Sequence, residues 1–130
     1  MTCMDARIDP AAALGISLGD AHVIRNAGGN ARDGLRSILI SQHMLGTREI
    51  VLIKHSGCGM LTFSNEDARV AVQSNGGKLE VGFDFQPLAD LEASVRDDAG
   101  FLREHEALPK GVTVSGWVYD ITNGRVRQII

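Results

Sequence analysis

Cysteine is nearly missing from this chain: Cys3 and Cys58 are the only two among 130 residues. Two thiols so far apart make no disulfide framework, which leaves metal ligation or free thiols. A surplus of positive charge is missing as well, with 13 Lys and Arg against 16 Asp and Glu and a formal net charge of −3. That balance provides no electrostatic footprint for nucleic acid and no basic run for an anionic membrane. No apolar stretch approaches the ~18 residues of a membrane span. No basic segment followed by an apolar one opens the chain, so secretion is not expected and a cytoplasmic location is. No Gly-x-x-x-x-Gly-Lys and no Gly-x-Gly-x-x-Gly follows a strand signal, so Gly28-Gly29 reads as a tight turn rather than a phosphate cradle.

What is present is an ordinary core composition. Apolar residues are 44% of the chain, and the length suits one domain over residues 1–130. Asp9-Pro10 is a helix start, Ala11 to Leu14 its body, and Gly15 or Gly19 its stop. Ala21 to Arg25 reads as a strand that ends in the glycine-rich turn Asn26 to Asn30. Leu35, Ile38, Leu39 and Leu45 recur at helical spacing, with Gly46 as the cap candidate. Ile50 to Ile53 is a buried strand, Met60 to Phe63 a helical turn and Glu66 to Gln73 a short helix. Gly76 to Gln86 reads as a loop. Leu88, Leu91, Val95, Ala99 and Leu102 share one face of a helix over 87–102. Val112 to Tyr119 is a strand, and Asn123-Gly124 a hairpin turn that sends residues 126–130 back. The alternation predicts an α/β fold, a mainly parallel β-sheet flanked by helices with an antiparallel C-terminal edge hairpin.

The chemistry concentrates where the Ile50–Ile53 strand stops, at His55-Ser56-Gly57-Cys58-Gly59. Sites in open α/β sheets are built at the carboxyl ends of strands. His55 and Cys58 carry metal-binding side chains three positions apart, and the glycines let the turn bend around one ion. Cys3, in Cys3-Met4-Asp5-Ala6-Arg7, is the third candidate ligand. Two thiolates and an imidazole suit Zn²⁺ and leave a fourth tetrahedral position open. The competing reading makes Cys3 and Cys58 buried thiols and His55 a hydrogen-bonded turn residue. His22, His43 and His105 are expected at the surface. Asp5 and Arg7, if far from a metal, form an ion pair of little worth. Beside one, Asp5 can accept a hydrogen bond from the nucleophile while Arg7 holds the carboxylate bidentately. The same carboxylate, if not held, can occupy the fourth position.

With both motifs in hand, the chain resembles the β-class carbonic anhydrases, in their compact microbial branch. The likeness extends through Gly19-Asp20-Ala21-His22-Val23-Ile24-Arg25-Asn26-Ala27-Gly28, Ser37-Ile38 and Leu45 to Ile50, and more loosely through Gly116 to Gly124. The resemblance implies one zinc per chain on Cys3, His55 and Cys58, an Asp5–Arg7 dyad, and the Gly59 amide as a donor to a substrate oxygen. It implies reversible hydration of carbon dioxide to bicarbonate and a proton, in a homodimer or a higher even homo-oligomer. Hydrolysis of carbonyl sulfide or carbon disulfide on the same ligands is an alternative, and a non-catalytic zinc-binding remnant is another. The family pattern also has an N-terminal helical segment and a strand leading into the first cysteine. Here Cys3 follows only Met1 and Thr2, so the expectation is a central strand cut short and Cys3 on a loose end.

Overall fold

Along Glu49–His55, labelled β3, Ile50, Leu52 and Lys54 alternate with Val51, Ile53 and His55, so the two sets leave opposite faces of the strand. The computed structural model, which describes residues 1–130, places β3 third in a five-stranded sheet. The other strands are β1 (Thr2–Cys3), β2 (Arg25–Asn26), β4 (Thr113–Asp120) and β5 (Arg125–Gln128). Their order is β2-β1-β3-β4-β5, parallel throughout except for the antiparallel β4–β5 edge. The expected fold class is the observed one.

Four helices connect the strands: α1 (Pro10–Leu14), α2 (Ala31–Met44), α3 (Asn65–Ser74) and α4 (Leu91–Glu104). Ile50, Leu52 and Val114 on the sheet pack against Ile38 of α2 and Ala99 and Leu102 of α4 to form the core. Gly116 of β4 lets α4 come close, since a Cβ there would stand 2.4 Å from Val95 Cγ1. The opposite face is open. Val51, Ile53 and Trp117 line a groove of about 520 Å³ there, with Leu14, Ile24 and Val126 on its walls.

The helix starts follow their caps. The Asp9 side chain accepts from Ala11 and Ala12 N–H, and Asn30 from those of Arg32 and Asp33. The expected helix over 87–102 begins instead at Leu91. Asp90 caps it by accepting from Ala93 N–H, and Leu88 N–H is committed to Met60 O at 2.8 Å. The expected strand over Ala21–Arg25 shrinks to Arg25–Asn26. Its only neighbour, β1, is two residues long, so the ladder holds just Thr2↔Arg25 and Cys3↔Asn26. Cys3 is nevertheless not on a loose end. Thr2 N–H donates to Ile24 O, Thr2 Oγ1 to Ile53 O and Met4 N–H to Asn26 O, all within 2.9 Å.

Candidate metal centre

Three segments reach the carboxyl end of the sheet together: β1, β3 and the loop after β3. Gly29 brings the β2 turn against β1. Its φ is +61°, and a Cβ there would stand 3.0 Å from the Thr2 carbonyl carbon. Cys3 thus meets the His55–Gly59 loop. Cys3, His55 and Cys58 are all buried, and their ligand atoms lie within 4.8 Å of one another. The two sulfurs are 4.0 Å apart, and both thiols are free.

His55 carries the decisive detail. Its ring is fully buried, and Nδ1 lies 2.9 Å from Ser56 O. A carbonyl only accepts, so Nδ1 holds the ring proton and Nε2 is the bare nitrogen. Nε2 is buried and has no hydrogen-bond partner. Such orphans are rare and expensive in a folded protein. A soft divalent cation held by this nitrogen and two thiolates would satisfy it, so the residues present fit zinc. Burial holds the His55 pKa below its ordinary value and keeps the imidazole neutral, the form that ligates. Burial also pushes the Cys58 thiol up in the metal-free protein.

Asp5 and Arg7 sit at the rim. Arg7 Nε donates to Asp5 Oδ1 at 2.9 Å and Nη2 to Oδ2 at 2.6 Å, the bidentate fork. Arg7 N–H also donates to Oδ1, and Nη2 to Gly57 O. These bonds hold the Asp5 carboxyl well below the usual range, so it stays ionised. Asp5 Oδ2 stands 3.7 Å from His55 Nε2. Gly59 opens the turn Gly59–Leu61, where the first N–H has no partner within the turn, and its carbonyl accepts from Thr62. His43 and His22 are exposed and His105 half-buried against Phe101, all apart from the cluster.

Sequence reasoning missed Arg25. Its Nε donates to Cys3 O and its Nη2 to Asp5 O, clamping the first motif from the strand next door. Its one signal was its place at the end of the expected Ala21–Arg25 strand, beside the glycine turn. Also missed were Lys54, whose buried ammonium lies 2.8 Å from Asp98 Oδ2, and the contact of Ser56 with Asp120.

The carbonic anhydrase family profile matches residues 1–126. β-Carbonic anhydrase 1 of Mycobacterium tuberculosis is 38% identical over 130 residues, which are 99% of this chain and 79% of that protein. A carbon disulfide hydrolase of Saccharolobus solfataricus is 34% identical, covering 98% of this chain and 74% of that one. The crystal structure of the carbonic anhydrase from Streptococcus mutans superposes with a TM-score of 0.93 at 42% identity, over 99% of this chain and 78% of that one. The cysteine–histidine–cysteine cluster thus sits in a fold and sequence shared along nearly the whole chain, which belongs to the β-class carbonic anhydrase family.

Proposed function

We propose that this chain is a zinc enzyme that reversibly hydrates carbon dioxide to bicarbonate and a proton. The observation that carries the reading is the buried, unpartnered His55 Nε2 facing two thiols. Cys3, His55 and Cys58 would hold one Zn²⁺ per chain. When bound, the ion lowers the pKa of a coordinated water and supplies the nucleophile. Asp5, kept ionised by Arg7, is the hydrogen-bond acceptor that orients the attacking group. Arg7 has the further task of holding that carboxylate back from the fourth coordination position. The Gly59 N–H is the donor to a substrate oxygen.

The chain works as a homodimer or a higher even oligomer. The open sheet face supports this, since Val51, Val126, Val23 and Leu14 are each more than a third exposed around one apolar groove. A single mass of one chain by light scattering at micromolar concentration would refute it. Within the chain, no helix is long and apolar enough to cross a membrane.

A second reading is hydrolysis of carbon disulfide or carbonyl sulfide on the same ligands. The relatives of that activity support it, although the carbonic anhydrase match is higher, 38% against 34% identity. Metal analysis of the purified protein beside carbon dioxide and carbon disulfide assays decides among the readings. We expect one zinc per chain with carbon dioxide hydration. Zinc with carbon disulfide turnover alone would favour the second reading, and protein free of zinc and inactive would overturn both.

A further inference from the structure

We propose that the β4–β5 hairpin positions the metal ligand His55, with Ser56 as the coupling residue and Asp120 as its anchor. The inference rests on the zinc reading given above and assigns new roles to two residues outside the ligand set.

The link begins at the His55 ring. Its Nδ1 proton goes to Ser56 O, so the orientation of that one carbonyl decides which nitrogen is bare and where it points. A carbonyl in a glycine-rich loop is a poor reference point unless the loop is held. Ser56 is held at three places, all from the hairpin. Ser56 N–H donates to Tyr119 O at 3.0 Å, Ser56 Oγ donates to Asp120 Oδ1 at 3.3 Å, and Ile121 N–H donates to Ser56 Oγ at 3.1 Å. The hydroxyl thus acts as donor and acceptor at once, which ties the peptide before Gly57 to two consecutive residues of the hairpin.

Asp120 is held in turn. Oδ1 accepts from Thr122 N–H and Thr122 Oγ1, and Oδ2 from Asn123 Nδ2. Four donors therefore converge on one carboxylate, and only one of them comes from the metal loop. A carboxylate that merely shaped its own turn would need Thr122 and Asn123 alone. The contact with Ser56, 64 residues away, has no part in turn formation. Ile121 adds an apolar stop, since its Cδ1 lies 3.4 Å from where a Cβ of Gly57 would be. The register gives the same result, because β3 and β4 pair His55 with Tyr119 just before both chains turn. Arg7 Nη2 reaches the loop one residue later, at Gly57 O, and the hairpin is the element that holds Ser56 itself.

Outer partners of metal ligands commonly contribute 10- to 100-fold in metal affinity. The test is the zinc dissociation constant, by chelator competition, of Ser56→Ala, Ser56→Thr, Asp120→Ala and Asn123→Ala, with folding followed by circular dichroism. The thiolate-to-metal absorption of the cobalt-substituted protein reports ligand geometry without any assay of turnover. Ser56→Ala and Asp120→Ala should each weaken zinc binding about 10- to 100-fold and alter the cobalt spectrum. Their double variant should be no worse than either single one, because the two residues form one link. Ser56→Thr keeps a hydroxyl and should bind zinc like the parent. Asn123→Ala loosens the turn but leaves the link, and should lower thermal stability without a change in zinc affinity. Should Asp120→Ala fold poorly, Ser56→Ala against Ser56→Thr decides alone. Parent-like zinc affinity in folded Ser56→Ala, or equal weakening in Ser56→Thr and Asn123→Ala, would overturn the positioning role. A parent protein that binds no zinc would instead overturn the reading beneath it.

Discussion

Lys54 and His55 are neighbours on β3, and both are fully buried, at 1% and 0% exposure. They leave opposite faces of the sheet and meet opposite treatment. The Lys54 ammonium donates to Asp98 Oδ2 at 2.8 Å and to Gly28 O at 3.2 Å. Asp98 is satisfied too, since it also accepts from Ala31 N–H at the start of α2 and lies near Arg32. His55 has one nitrogen bonded and the other bare. A buried charge held by a carboxylate and a carbonyl is architecture, here joining β3, α4 and the glycine turn under Cys3. A buried nitrogen left without a partner is a place kept for something else. The difference lies in completeness rather than in burial, and it can be tested from either side.

The largest effect is expected on the incomplete side. Cys58→Ser removes a thiolate, and two ligands hold zinc poorly, so zinc and activity should vanish together while the far-ultraviolet circular dichroism stays parental. Unchanged zinc content would break the ligand assignment. On the complete side, Asp98→Ala leaves a buried ammonium unpaired. It should destabilise the fold by about 3–5 kcal/mol in urea melts. Replacing both partners, as Lys54→Met with Asp98→Leu, should recover most of that loss, because an apolar pair is commonly neutral against a buried ion pair. A single Asp98→Ala that melts like the parent would show that Lys54 finds another partner.

These two sites were not equally legible in the sequence. Cys3, His55 and Cys58 could be picked out because few residue types ligate zinc and the chain has little cysteine. The Asp5–Arg7 fork could be named because the two residues are only two positions apart. Lys54–Asp98 and Ser56–Asp120 could not be foreseen, since each joins residues far apart in sequence whose types are common at any surface. Strand lengths failed for a related reason. Ala21 to Ile24 has the composition of a strand, but a ladder needs a neighbour, and β1 supplies only two residues. The apolar spacing that includes Leu88 extends helix α4 four residues too early, to Pro87, whereas Asp90 supplies the cap.

A milder perturbation separates the ligands from the rim. Arg7→Ala removes the fork that holds Asp5, whose Oδ2 is 3.7 Å from His55 Nε2. The freed carboxylate then competes for the fourth position. Zinc content should stay at the parental level, and carbon dioxide hydration should fall about 10- to 100-fold, the usual scale for a residue that orients the inner shell. Steady-state rates beside metal analysis check this. A variant as active as the parent would show that Arg7 does not restrain Asp5.

The smallest effect is the most diagnostic of what burial does to the ligands themselves. In the metal-free protein, burial lowers the His55 pKa and raises that of Cys58. For His55 the unfolded chain binds the proton more readily, so folding stability rises with pH until ~6.5, where the unfolded imidazole has lost its proton. For Cys58 the folded chain keeps the proton more tightly, so stability falls as pH climbs past ~8.5, the unfolded thiol value. The contribution of these two groups to the stability of the metal-free protein should therefore be greatest between about pH 6.5 and 8.5. Zinc reverses the alkaline limb. The metal takes Cys58 as thiolate, so binding expels its proton, and affinity should rise about tenfold per pH unit for that proton while the free thiol remains protonated. Thermal melts of the metal-free and zinc-loaded protein across this range, with chelator competition at each pH, provide both curves. Parallel curves for the two forms would mean that Cys58 does not give up a proton to the metal, and the contrast between a complete and an incomplete buried group would lose its chemical basis.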